Sequence, residues 1–220
     1  MSTLTSLEKI ETEPIPYLCV LTLVRLDLLK RLIQSIDYPV TNVVILFQGP
    51  INRDKIDQMN LVNTFVKKFI YISSNINIGV SRGWNYFLKN FPSSYWLISG
   101  DDCFFEPSTL ENIAKYMSIP SSLENVFCIL KIKNRNENPA DFFNAFVVTN
   151  LLLQKVGLFD ENIYPAYFED NDMWHRIQVT KQKVATIKNA YINSGDDKHT
   201  GSCTLNSVHP NISTKNESMF

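Results

Sequence analysis

Tyr95-Trp96-Leu97-Ile98-Ser99-Gly100-Asp101-Asp102-Cys103-Phe104-Phe105-Glu106-Pro107 reads as a short buried strand that runs straight into acid. Tyr95 to Ile98 are mostly apolar, Ser99-Gly100 ends the run, and two carboxylates follow at once. Side chains alternate along extended backbone, so Asp101 and Asp102 point different ways and do different jobs. Open α/β sheets bind ligands at the carboxyl ends of their strands. Hard oxygen ligands there suit Mg2+ or Mn2+, which take one or two carboxylates and add substrate phosphate oxygens. The plainer alternative is a turn whose acids cap the helix expected from Pro107 to Met117.

Strands and helices alternate upstream. Tyr17 to Val24, Asn42 to Phe47 and Phe69 to Ser73 are apolar runs rich in β-branched residues, and read as buried strands. Between them, Leu26, Leu29, Leu32, Ile33 and Ile36 repeat at helical spacing. Asp54 to Lys68 shows the same period, which predicts a second helix. The loop Asn75 to Gly79 leads into a third, ending near Asn90. Downstream, strands are expected over 125–132, 142–149 and 184–187, with helices over 150–156 and 169–179. Asn134 to Asp141 reads as a polar loop. This order predicts a single α/β domain, Rossmann-like, with a mainly parallel central sheet flanked by helices. The strand at 142–149 is a candidate for antiparallel pairing. The domain is expected to cover residues 1–204, and the polar residues 205–220 to form a tail or linker.

A chain of 220 residues is long enough to bury a sizeable core. Net charge is −1 and no basic stripe stands out, which argues against nucleic acid as a partner. No apolar run approaches the roughly 20 residues that span a bilayer, and residues 1–16 lack the apolar core of a signal peptide. The expected location is cytoplasmic. Cys19, Cys103, Cys128 and Cys203 show no metal-ligand spacing and read as reduced, structural thiols.

After the first strand, Thr22-Leu23-Val24-Arg25-Leu26-Asp27 contains no glycine, so dinucleotide and P-loop readings fail. The order of pieces instead resembles glycosyltransferases of the GT-A fold. Within them it is similar to the inverting family 2 and its rhamnosyltransferase-like members, including N-terminal domains of multidomain chlorella-virus glycosyltransferases. The resemblance rests on six segments in order. They are Thr22 with Arg25; Asn77, Gly79, Arg82 and Asn85; Asp101-Asp102 with Pro107; Gly157 to Tyr164; Glu169, Asp170, Asp172 and Arg176; and His199-Thr200-Gly201-Ser202. Two departures stand out: Gly100 occupies the first acid position of the DxD segment, and Gln48-Gly49-Pro50 replaces an Asp-rich turn.

The resemblance implies a nucleotide-sugar donor, with UDP first, and a glycan or glycoprotein acceptor. It also implies a Mn2+ or Mg2+ ion, a viral protein of the host cytoplasm, and fusion to further C-terminal domains. Thr22, Arg25, Asn77, Arg82, Asn85 and Asp101 become the candidates for holding the donor. Asp102 and His199 become the candidate metal ligands. Asp170 is the implied catalytic base, with Glu169 the alternative, and Asp172 supports through Arg176 at i, i+4. Plainer roles stay open: Arg82 as a surface residue, His199 as a solvated one, and Trp84, Tyr86, Trp96 and Trp174 as core. A sugar-nucleotide pyrophosphorylase and a non-catalytic nucleotide-sugar or carbohydrate-binding module are the competing functions.

Overall fold

The computed structural model describes residues 12–23, 25–49, 54, 56–57, 60–133, 135–136 and 142–194. In chain order the elements are β1 (Ile15–Thr22), α1 (Leu26–Gln34), β2 (Val40–Gln48), β3 (Val66–Ser74) and α2 (Val80–Asn90). Next come β4 (Tyr95–Gly100), β5 (Cys103–Phe105), α3 (Thr109–Met117), a 3-10 turn (Pro120–Glu124), β6 (Phe127–Ile132) and β7 (Ala145–Thr149). The last are α4 (Asn150–Lys155), α5 (Glu169–Val179) and β8 (Val184–Ser194).

All eight strands join one sheet in the order β3-β2-β1-β4-β7-β6-β8-β5. The first four run parallel, as the alternation predicts. Antiparallel β7 then bridges β4 and β6, β8 runs parallel to β6, and β5 closes the sheet antiparallel to β8. The sheet is therefore mixed, with its parallel character confined to one half and to the β6–β8 pair.

Alternation along β1 builds two cores. Ile15, Leu18 and Val20 point to the face covered by α1 and α3, where they meet Leu29, Leu32, Ile33, Leu110 and Ile113. Cys19 and Leu21 point to the other face, against Trp84 and Phe87 of α2 and Met173 and Ile177 of α5. A fully buried Leu, Ile or Phe contributes about 1.5–3 kcal/mol, so both faces hold their helices firmly. Phe127, Phe143, Phe146, Phe159 and Trp84 form a continuous aromatic cluster on the second face. Trp96 is core too, its indole N–H donating to the Phe91 carbonyl at 2.7 Å.

Three expectations change. The helix predicted over 54–68 does not reach its end, because β3 begins at Val66 and residues 61–65 lie outside any helix. Asn60 takes a positive φ of 42°, and Val62 and Phe65 of the supposed buried face are exposed. The helix expected from Pro107 starts at Thr109, after Ser108 turns left-handed. The late strand expected over 184–187 continues to Ser194, pairing first with β6 and then with β5, a strand the sequence did not announce. Cys19, Cys103 and Cys128 are buried and unpaired, as expected. Among the described residues no helix is long and apolar enough to cross a membrane. Residues 195–220, with His199, Cys203 and the expected tail, lie outside the described residues.

Candidate active site

The carboxyl ends of β2, β1 and β4 open into a cavity of about 410 Å³. Gln48, Thr22 and the Gly100-Asp101-Asp102 turn lie along its sheet side, and residues 165–170 approach from the start of α5. Pairing of Leu21 with Gly100 sets Thr22 beside Asp101. The Thr22 hydroxyl donates to Asp101 Oδ2 at 2.5 Å. Burial is the main cause that pushes the Asp101 carboxyl up to about 7, and the neighbouring Asp102 adds to it. The Thr22 bond and the Arg25 charge pull the other way. Arg25 precedes α1, lines the cavity, and lies 3.6 Å from Asp27.

Gly100, at the first acid position of the DxD segment, lies against the Asp102 side chain. A Cβ at that position would meet Asp102 Oδ1 at 2.8 Å, so a side chain there would push the Asp102 carboxylate aside. The Gly100 N–H donates to the Asn144 carbonyl at 2.9 Å. Cys103 Sγ donates to that same carbonyl at 3.2 Å and lies 3.8 Å from Asp102 Oδ1. The Cys103–Ser194 pairing between β5 and β8 anchors this turn from below.

A clasp joins the two sides of the cavity. Gly79 has φ 87°, and a Cβ there meets Tyr164 Cδ2 at 2.9 Å. The Val80 N–H donates to the Pro165 carbonyl at 2.8 Å, and the Tyr164 hydroxyl to the Asn77 carbonyl at 3.0 Å. Gln48 Oε1 accepts from the Ile78 N–H at 2.9 Å, tying the same loop to the end of β2.

Tyr167 and Phe168 are both left-handed, with φ 72° and 73°, and this unusual pair swings the chain into α5. Glu169 and Asp170 open the helix at the cavity wall, where its dipole favours acids. Burial, then the Asp170 charge, push the Glu169 carboxyl up to about 8. Asp170 is also raised by burial, while backbone N–H groups of Asn171, Asp170 and Phe168 oppose the shift. Asp172 faces Arg176 at 2.6 Å, the i, i+4 pair expected from the sequence.

Seven of the ten predicted site residues line this one cavity: Thr22, Arg25, Asn77, Asp101, Asp102, Glu169 and Asp170. Arg82 does not; it is largely exposed on α2, 3.8 Å from Glu161. Neither does Asn85, which is buried. Its amide donates to the Phe159 carbonyl and to Glu161 Oε1 at 2.9 Å each, and its Oδ1 accepts the Phe159 N–H at 3.0 Å. His199 lies outside the described residues. Gln48, Asn144 and Tyr167 also line the cavity and were not predicted. Gln48 carried a signal all the same, since it ends a buried strand as Gly100 does.

Among the described residues no three His, Cys, Asp or Glu side chains gather around one metal-sized site. The carboxylate pair offers a smaller donor set. Asp101 Oδ2 is held by Thr22, and Asp102 lines the cavity beside it. One carboxylate from the protein fits Mg2+ or Mn2+ chemistry in which substrate phosphates fill the shell.

No known protein family and no curated protein matches this sequence. Solved structures do. A mannosyltransferase from Pyrobaculum calidifontis, in complex with GDP-Man and Mn2+, superposes with a TM-score of 0.62 at 13% identity, over 90% of this chain and 63% of that one. S. aureus TarS 1-349 in complex with UDP-GlcNAc gives 0.59 at 12% identity, over 86% and 61%. GalNAc-T7 with UDP, GalNAc and Mn2+ gives 0.65 at 11% identity, over 83% and 43%. The chain spans less than two thirds of the length of each. With its mixed eight-stranded sheet and these likenesses, the chain has the GT-A glycosyltransferase fold.

Proposed function

We propose that the protein is a metal-dependent glycosyltransferase that moves a hexosyl group from a nucleotide sugar to a hydroxyl of a glycan or glycoprotein acceptor. The observation that carries this reading is the meeting of two acid pairs in one cavity, Asp101-Asp102 from the sheet and Glu169-Asp170 from α5. The two pairs supply what transfer uses, carboxylate oxygen for a metal at the leaving diphosphate and a base for the incoming hydroxyl. The solved neighbours that contain UDP or GDP nucleotides and Mn2+ support the same choice.

Asp102 is the residue that would hold Mn2+ or Mg2+, and His199 is the candidate second ligand. When bound, the ion supplies Lewis-acid stabilisation to the departing diphosphate. Thr22 and Asp101 hold the nucleotide side, with Arg25 and Asn77 at its edge. Asp170 takes the acceptor proton, and its burial raises its affinity for that proton. The acceptor oxygen then bonds to the anomeric carbon, and the bond to the diphosphate breaks with its electron pair. We infer UDP as the first nucleotide, and rhamnosyl and glucosyl groups as the first sugars to try. Three buried, unpaired thiols fit a reducing compartment, and we place the protein in the cytoplasm.

The test is a titration of UDP with and without Mn2+, in the wild type and in Asp102→Ala, followed by nucleoside diphosphate release from a panel of UDP, GDP and dTDP sugars. Metal-dependent binding in the wild type alone, with release from at least one sugar, is expected. Equal affinities in all four arms would refute the role of Asp102. Metal-dependent binding with no release from any donor would leave a binding module.

A further inference from the structure

Two side-chain amides of the cavity are fixed the same way round. Gln48 ends β2, is only 3% exposed, and lines the cavity. Its Oε1 accepts the Ile78 N–H at 2.9 Å. Asn77 lines the cavity as well, and its Oδ1 accepts the Gly79 N–H at 2.9 Å. Consecutive N–H groups of one loop thus occupy both amide oxygens. An amide turned the other way would set its NH2 against a backbone N–H, so each side chain has only donors left to offer.

Neither NH2 group has a partner among the described residues. Neither is sealed off, because the buried, unpartnered side-chain atoms among the described residues are Ser81 Oγ and Glu169 Oε2. Gln48 Nε2 is therefore open, in a side chain that is otherwise enclosed and forms part of the cavity wall.

Position says what these donors meet. Leu21 of β1 pairs with Leu46 on one side and with Gly100 on the other. Gln48 and the Asp101-Asp102 turn therefore close the same end of the sheet two strands apart, or about 10 Å. A nucleoside diphosphate with its phosphates at Asp102 has its base at such a remove. Arg25 is the one cation among the described lining residues, and its charge acts on Asp101. Amide donors with no cation of their own suit neutral acceptor oxygens better than a second anionic group.

We propose that Gln48 and Asn77 form a donor-only edge that recognises the ring carbonyl oxygens of a uracil or thymine base and so selects the nucleotide. The inference rests on the nucleotide-sugar reading and adds the base to it. Where uracil carries a ring carbonyl, cytosine carries an amino group, which would meet the amide NH2 donor against donor. That mismatch leaves a buried donor unpaired and weakens binding. An acid at the end of β2 could only accept, and would favour the opposite pattern.

Titration of the wild type with UDP, dTDP and CDP, each with Mn2+, needs no variant. UDP and dTDP are expected to bind about tenfold tighter than CDP. Equal affinity for UDP and CDP would overturn the proposal. Gln48→Glu keeps an oxygen for the Ile78 N–H and turns the open end into an acceptor. Its added charge opposes both diphosphates alike, so the preference for UDP over CDP is the readout. That preference should fall by about tenfold, and Asn77→Asp should move it in the same direction. A purely structural role, holding the loop through Ile78 and Gly79, leaves the preference unchanged in both variants and would overturn the proposal. If either variant fails to fold, the wild-type comparison still decides. Failure of the transferase reading looks different: UDP then binds in preference to CDP, yet no donor sugar releases its nucleoside diphosphate. No binding of any of the three nucleotides would overturn both.

Discussion

Replacing Asn85 with alanine should damage the fold and spare the nucleotide. The Asn85 side chain imitates a piece of strand, giving Phe159 both an acceptor for its N–H and a donor for its carbonyl. Asn85 and Phe159 are 1% and 2% exposed, so water does not replace those bonds. Each buried backbone group left unsatisfied costs about 1–3 kcal/mol. The third bond, to Glu161 Oε1, adds little, because Lys89 still reaches that oxygen at 2.9 Å. Two orphaned groups give a loss of about 2–6 kcal/mol, which for a chain of this size lowers the melting temperature by about 4–24 °C. Asn85→Asp should not rescue it, since a second acid oxygen would face the Phe159 carbonyl and Glu161. Thermal unfolding followed by circular dichroism measures the loss, and UDP titration with Mn2+ at 15 °C measures the site. A melting temperature within about 2 °C of wild type, together with weaker UDP binding, would refute this reasoning. It would return Asn85 to the donor-binding role that the family resemblance implies.

Gly100→Ala should displace the Asp102 carboxylate and weaken Mn2+-dependent UDP binding by about 10–100-fold. Its melting temperature should fall by no more than a few degrees; calorimetry of both quantities checks it. Asp170→Asn keeps shape and should cut transfer by on the order of 10²–10⁴ with UDP affinity unchanged, read from diphosphate release and titration. Glu169 also sets a pH dependence of stability. Its folded value lies above its unfolded one, so the folded chain binds the proton more tightly. Its contribution is therefore full below about pH 4.5 and is lost as pH rises through about 8. Urea unfolding at pH 5 and pH 8.5 should show a decline on the order of a few kcal/mol, which Glu169→Gln reduces while the part from Asp101, raised to about 7, remains.

The central strand and its acids were legible because both signals are local. A buried run followed by two carboxylates needs no distant partner to be read, and β4 with Asp101-Asp102 stands where it was expected. The α5 helix was legible to its boundaries for the same reason, with three acids in its first turn and Met173 and Ile177 on its buried face. Asp54 to Lys68 misled because apolar spacing does not say which apolar residues find a core; Val62 and Phe65 find none. Arg82 and Asn85 were placed at the cavity by motif, but helical geometry decides which face turns inward. Val80 and Trp84, four apart, line the cavity, and residues 82 and 85 are rotated away. Nor did Cys103–Phe105 read as a strand, since three residues carry no period and their partner comes at the far end of the chain.

That distant partner has a consequence for synthesis. β8 is the last of the described strands but sits inside the sheet, between β6 and β5. Among the described strands, β5 pairs with β8 alone. As the chain leaves a ribosome, Cys103–Phe105 therefore waits about ninety residues for its neighbour, roughly 5–20 s at usual elongation rates. Through that interval three apolar residues lie on an open edge, and the turn carrying Asp101 and Asp102 lacks its support from below. The parallel strands emerge early and are free to pair, while the acid end of the site matures last. Nascent chains halted before residue 184 should thus be the form that chaperones hold, with half a sheet folded and the cavity unmade.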